Sequence, residues 1–240
     1  MRTGIMLLSI LLFTSCLRKP IPVSYSNTEK FVLEDTTGPA NEYLQSFGDD
    51  AFPIYYIGPW KDTIRTGSRY WLRQERRFKE YPKLCIFRYS KSHIAVQVDT
   101  SSPVCEVMEY LKKDGSINHY CDSNRYYHAS MIIIRNKSDT AVSLGITFSV
   151  FQMHREMLNS RGQWVKTSEK LCKDWFCGTG QPNIYLMPGE LILSKISHFS
   201  GKHAVRCRLA LGCCDDIPQV YSNIFTEHVT DELFYIVEEG

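Results

Sequence analysis

Val142-Ser143-Leu144-Gly145-Ile146-Thr147-Phe148-Ser149-Val150 decides the fold class. Its apolar residues Val142, Leu144, Ile146, Phe148 and Val150 keep a strict period of two. Successive side chains of a strand point to opposite faces, so these five line one face. At helical spacing they would scatter around the axis. The stretch therefore predicts a half-buried β-strand.

The same pattern continues on both sides. Upstream, Met131 to Ile134 is a short apolar run closed by Asn136-Lys137-Ser138-Asp139. Ile94, Val96 and Val98 alternate with Ala95, Gln97 and Asp99, and Ile54 to Ile57 is an aromatic and β-branched run stopped by Gly58-Pro59. Downstream, Ser160-Arg161-Gly162 reads as a hairpin turn before Trp164-Val165, and Pro188-Gly189-Glu190 breaks the chain before Leu191 to Phe199. Val205, Cys207, Leu209 and Leu211 share one face of a strand, while Arg206 and Arg208 share the other. Val220 to His228 and Leu233 to Val237 read as the last strands. After residue 50 the one candidate for a helix is a short one over 69–80. Strands separated by frequent turn signals indicate a sandwich or barrel. The expectation is an all-β sandwich from about residue 52 to 238, with Val96, Leu144, Ile146, Phe148, Val205, Leu209 and Leu211 buried.

The stretch Ile132 to Ile236 resembles bacterial immunoglobulin-like or fibronectin-III-like domains. The matching pieces are Asn136-Lys137-Ser138 after a strand, Leu186-Met187-Pro188-Gly189-Glu190 before one, and Gly201-Lys202-His203-Ala204-Val205-Arg206 opening another. The resemblance implies an immunoglobulin-like β-sandwich over 131–240. Residues 51–130 then form an N-terminal β region, either a second layer or a smaller subdomain. Fold of this kind does not give function.

The chain has 240 residues, 43% hydrophobic and 22% charged, with a formal net charge of +2. These are ordinary globular values with ample material for a core. A charge near zero excludes a strongly basic nucleic-acid binder. The local run Arg69, Arg73, Arg76, Arg77 and Lys79 is explained by a solvated face.

Nine cysteines are present. Beyond Cys16 they are Cys85, Cys105, Cys121, Cys172, Cys177, Cys207, Cys213 and Cys214, an even set consistent with disulfides in an exported chain. Cys172 and Cys177 close a short loop. Cys105 and Cys121 flank a hairpin turning at Lys113-Asp114-Gly115-Ser116. Cys207 faces the expected core, where it is either bridged to Cys172 or Cys177 or a buried free thiol. Zinc held by Cys172, Cys177, Cys213 and Cys214 with His154 or His203 fits tetrahedral spacing poorly, because two of those cysteines are adjacent.

No Gly-x-Ser-x-Gly, Walker loop, Gly-x-Gly-x-x-Gly or His-Glu-x-x-His occurs. Cys177 next to Gly178 offers a nucleophile only in principle, and Asp215-Asp216 a loop calcium site only in principle. No catalytic residue, metal or cofactor is assigned. Trp60, Trp71, Trp164 and Trp175 are candidates for stacking a sugar ring, against the simpler explanation that aromatics favour strands.

The start of the chain gives an address. Arg2 precedes the apolar run Ile5 to Phe13, small Thr14 and Ser15, and then Cys16. That is the order of a secretory signal, and the apolar run is too short to span a membrane, which takes about 20 residues. Phe13-Thr14-Ser15-Cys16 resembles the end of a bacterial lipoprotein signal, with Phe13 where that family usually has Leu. The resemblance implies removal of residues 1–15, lipid on Cys16 and anchoring at the cell envelope. Residues 16–50, with Pro20, Pro22 and Gly38-Pro39, then read as a flexible tether. The leading functional expectation is a non-enzymatic exported lipoprotein, structural or binding an envelope protein or glycan. The alternative is an exported hydrolase. A pocket with a buried nucleophile beside a histidine would favour the enzyme, and a line of exposed aromatics on a sheet face, or a flat apolar patch, would favour binding.

Overall fold

A computed structural model describes residues 21–24, 30–34, 39–47, 52–65, 84–111, 121–146, 153–167, 183–212 and 220–240. Their elements in chain order are β1 (Ile21–Ser24), β2 (Lys30–Glu34), β3 (Ile54–Pro59), β4 (Thr63–Arg65), β5 (Cys85–Ile86), β6 (Ile94–Leu111), β7 (Cys121–Asn136), β8 (Ala141–Ile146), β9 (Met153–Leu158), β10 (Trp164–Lys166), β11 (Asn183–Leu186), β12 (Glu190–Ser197), β13 (His203–Leu211), β14 (Val220–Tyr221), β15 (Phe225–Val229) and α1 (Asp231–Glu239). The described residues are all-β apart from α1. Among the described residues no helix is long and apolar enough to cross a membrane.

Two sheets carry the core. The first is antiparallel in the order β3-β12-β7-β6, and the second runs β10-β9-β13, with β14 and β15 both pairing β13. Ile132, Ile134, Ile192 and Ile196 of the first sheet and Met157, Val205, Leu209 and Phe225 of the second belong to one buried cluster. The small sheet β11-β8-β5 adds Val142, Leu144, Ile184 and Leu186 to it. The first sheet has a second buried face, where Met131, Ile133, Leu191 and Leu193 meet Ile64 and Val104. β12 is consequently buried at every residue, its polar Glu190, Ser194, Lys195 and Ser197 as well as its apolar Leu191, Ile192, Leu193 and Ile196.

The turn chemistry follows the sequence. Gly162 (φ 77°) closes the β9–β10 hairpin and Gly189 (φ 72°) the β11–β12 turn, both in the left-handed region that favours glycine. Asn136 ends β7 by donating Nδ2 to the carbonyls of Thr140 and Leu186 while its Oδ1 accepts from Ser138. Val96, Leu144, Val205, Leu209 and Leu211 are buried as expected. The side chain of Ile146, and Phe148 and Val150 altogether, lie outside the described residues, as does the 69–80 segment.

Three expectations change. Leu233 to Val237 lies within α1, not a strand, because Thr230 caps the helix through its side chain and Leu233 and Val237 recur at helical spacing on the buried side. A boundary at 130/131 would cut β7 in half: β12 pairs with both β3 and β7, so residues from both supposed regions build one sheet. The stretch read as a tether contains β1 and β2, which form a sheet with β4, and it bridges through Glu42 to Tyr127 within β7 and through Leu44 to Phe199 just past β12. Pro22 is tolerated because β1 is an edge strand.

Candidate functional site

Two polar constellations stand out, one between the sheets and one on the outer face of the second sheet. The inner one starts from β7, β9 and β15, whose alternation aims Ser130, Arg155 and Glu227 into the core. Ser130 Oγ lies 2.9 Å from His198 Nε2, and His198 Nδ1 lies 2.8 Å from Glu227 Oε1. Arg155, wholly buried, donates Nη2 to the Ser197 carbonyl at 2.6 Å and Nη1 to Glu227 Oε1 at 3.4 Å, and its guanidinium sits 4.5 Å over the Phe199 ring.

Serine, histidine and carboxylate in that order match the connectivity of a hydrolase triad. Two features set the arrangement apart from such a triad. Ser130 is 2% exposed on the inner face of its sheet. Its N–H is also committed: the His198 N–H donates to the His128 carbonyl at 2.8 Å, and antiparallel alternation makes Ile196 and Ser130 the next hydrogen-bonded pair. The donor that a serine nucleophile would turn toward an oxyanion is therefore used by the ladder. Glu227 is shared among His198, Arg155 and the Phe199 N–H, which ties β15, β9 and the end of β12 together.

The outer constellation lies on β9, β10, β13 and β14. Here Arg208 is stacked between two aromatics, 4.1 Å from the Trp164 ring and 3.7 Å from the Tyr221 ring. Its Nε donates to Glu156 Oε2 at 2.7 Å, and His154 Nε2 lies 3.3 Å from Glu156 Oε1. Burial pushes the Glu156 carboxyl upward, but the hydrogen bonds from His154 and Arg208 outweigh it and hold it below the ordinary value of 4.5. Around this pair Tyr221 is 43% exposed, Trp164 and Leu158 are half-buried, and Lys166, Ala204, Arg206, Thr226 and His228 are exposed.

Of the stacking candidates, Trp164 thus belongs to an aromatic cluster on a sheet face. Trp60 instead packs against the second core cluster, with Arg135 over its ring at 5.9 Å. Trp71, Trp175 and Cys16 lie outside the described residues. The alternation of His154 and Glu156 with Met153 and Met157 is the sequence signal that could have found this outer polar face. Nothing in the sequence paired Arg208 with Tyr221, or Ser130 with His198, because those contacts join distant strands.

The disulfide expectation is corrected. Among the described residues no two cysteines are at disulfide distance, and Cys85, Cys105 and Cys207 are not bridged. Cys105 faces His128 across the ladder whereas Cys121 faces Leu111, so the two are separated by six positions along the strands, roughly 20 Å, far beyond the ~7 Å limit for a bridge. Cys207 is fully buried, with its thiol directed at the Val205 carbonyl; it packs as a small hydrophobe. Cys172 and Cys177 lie outside the described residues. Burial pushes the Cys85 thiol up, despite a backbone hydrogen bond at Ser143 that lowers it. Among the described residues no cluster of three metal-binding side chains occurs: His154 pairs with Glu156, and His203 with Asp231 at 2.6 Å. Compared with known proteins, the chain matches no family model, no curated protein and no solved structure.

Proposed function

We propose that this chain is an exported, lipid-anchored protein of the bacterial cell envelope, non-enzymatic, whose immunoglobulin-like sandwich binds an envelope component. The observation that carries the binding half is the outer face of the second sheet, where Trp164 and Tyr221 bracket Arg208. An aromatic pair fixed by a guanidinium is a preorganised surface, and fixing it in advance lowers the entropic cost of binding. The sandwich reading is supported by the single cluster shared between the two sheets. The address rests on the signal-like order ending at Cys16.

Expression of the full chain in a bacterial host, followed by detergent-phase partitioning, tests the address. The wild type is expected in the detergent phase and Cys16→Ser in the aqueous phase. Equal partitioning overturns the lipid anchor. A photo-crosslinking residue at Thr226, on the outer face, should trap an envelope component in the same cells. Trapping no more frequent than from Lys61 would overturn the binding face.

A further inference from the structure

We infer that the outer face of the second sheet takes an acidic polysaccharide. The inference rests on the proposal that this face is the binding surface, and adds the chemical class of the ligand.

Charge is the first argument. The carboxylate of Glu156 is consumed by Arg208 and His154. Arg206 and Lys166 are exposed and have no carboxylate partner among the described residues. Register places them on either side of the aromatic row. Lys166 pairs with Glu156, Glu156 with Arg208, and Trp164 with Leu158; one step further along the same register sets Leu158 opposite Arg206. Two unmatched cations therefore flank Trp164 and Leu158, and His228 lies further along the same side, on β15. A ligand that satisfies both needs repeated negative charge.

Aromatic surface is the second argument. An aromatic face carries negative quadrupole density, which favours the C–H face of a pyranose ring. Arg208 already occupies one face of each ring, holding Trp164 and Tyr221 in place. Size is the third argument. The exposed strip spans about three strand spacings by about six residues, roughly 14 by 20 Å. That is roughly 300 Å², against about 800 Å² for each side of an ordinary protein–protein interface. The strip is also rich in charge, where the centre of a protein interface is poor in it. It fits a few sugar units of a chain better than a protein epitope.

The test uses the full chain in nanodiscs, empty nanodiscs as control, and calorimetry with polygalacturonate and with its carboxyl-reduced counterpart. The expected result is binding to the acidic polymer, roughly tenfold or more weaker to the reduced one, and weaker as salt rises. Arg206→Glu should lose at least the same factor and melt like the wild type, since Arg206 is exposed and its side chain has no hydrogen bond or ion pair among the described residues. Arg88→Glu, exposed and off this face, should bind like the wild type. Equal affinity for the two polymers overturns the acidic class while leaving a sugar-binding face intact. Poly-glutamate competing as well as polygalacturonate overturns the sugar class. Binding to neither polymer overturns the inference without touching the lipid anchor, which partitioning reads independently.

Discussion

Arg155 and Glu227 are charged residues placed where the sheets meet, and their cost is offset only because each is matched. Arg155 has the Ser197 carbonyl, Glu227 and the Phe199 ring, and Glu227 has His198, Arg155 and the Phe199 N–H. Glu227→Leu strands a buried guanidinium. Urea denaturation should show a loss of about 3 to 5 kcal/mol, and adding Arg155→Met should recover part of it, because the pair removed together leaves no uncompensated charge. A double variant no more stable than the single would remove the coupling. Thiol titration checks the corrected cysteines. In the native protein Cys105 and Cys207 should resist a thiol reagent that both meet on unfolding, and a Cys105–Cys121 adduct should be absent from the non-reducing digest. The inward direction of Cys207 was legible from its strand parity. The parity of Arg155, between Met153 and Met157, was legible too, but its partners sit on β12 and β15, and no local pattern reports contacts across that much chain.

At the level of elements, α1 shows what a short window hides. Leu233 and Val237 look like strand residues when counted in pairs, yet Thr230 accepts from the Leu233 N–H and Asp231 and Glu232 fill the first turn, a helix start written in capping chemistry. Thr230→Ala should lower stability by about 1 kcal/mol, read as a fall in Tm. The helix is also held by charge. Hydrogen bonds from His203 and Lys202 hold the Asp231 carboxyl below its ordinary value of 3.8. A carboxyl lowered on folding contributes fully above that value, and the contribution is lost as pH falls through the lowered one. Asp231→Asn should therefore melt below the wild type at neutral pH, and the gap should close on acidification below the ordinary aspartate range. A gap that persists unchanged well below that range would contradict the assignment. Gly201 opens β13 so close to Val229 that a Cβ would come within 2.0 Å of its backbone. Gly201→Ala should cost about 1 to 3 kcal/mol by forcing the β12–β13 and β15 segments apart.

At the scale of the whole molecule, two main sheets are joined by an apolar cluster and a polar clamp, and the outer face of the second is the one proposed to bind. The strand content was readable from period-two runs such as 94–98 and 205–211, and the turns from Gly162 and Gly189. The sheet order was not, since β12 threads between β3 and β7 from more than a hundred residues away from β3, and no periodicity encodes which strands become neighbours. For the same reason Ser130, His198 and Glu227 could not be recognised as a group from sequence. Their connectivity is that of a hydrolase triad, and we propose that they brace the sheets instead. Intact-mass analysis of the folded full chain after treatment with a fluorophosphonate probe tests this most directly. The account predicts no adduct on Ser130, together with a lowered Tm for Ser130→Ala. A stoichiometric adduct on Ser130 that disappears in His198→Ala would contradict it and make the chain a hydrolase.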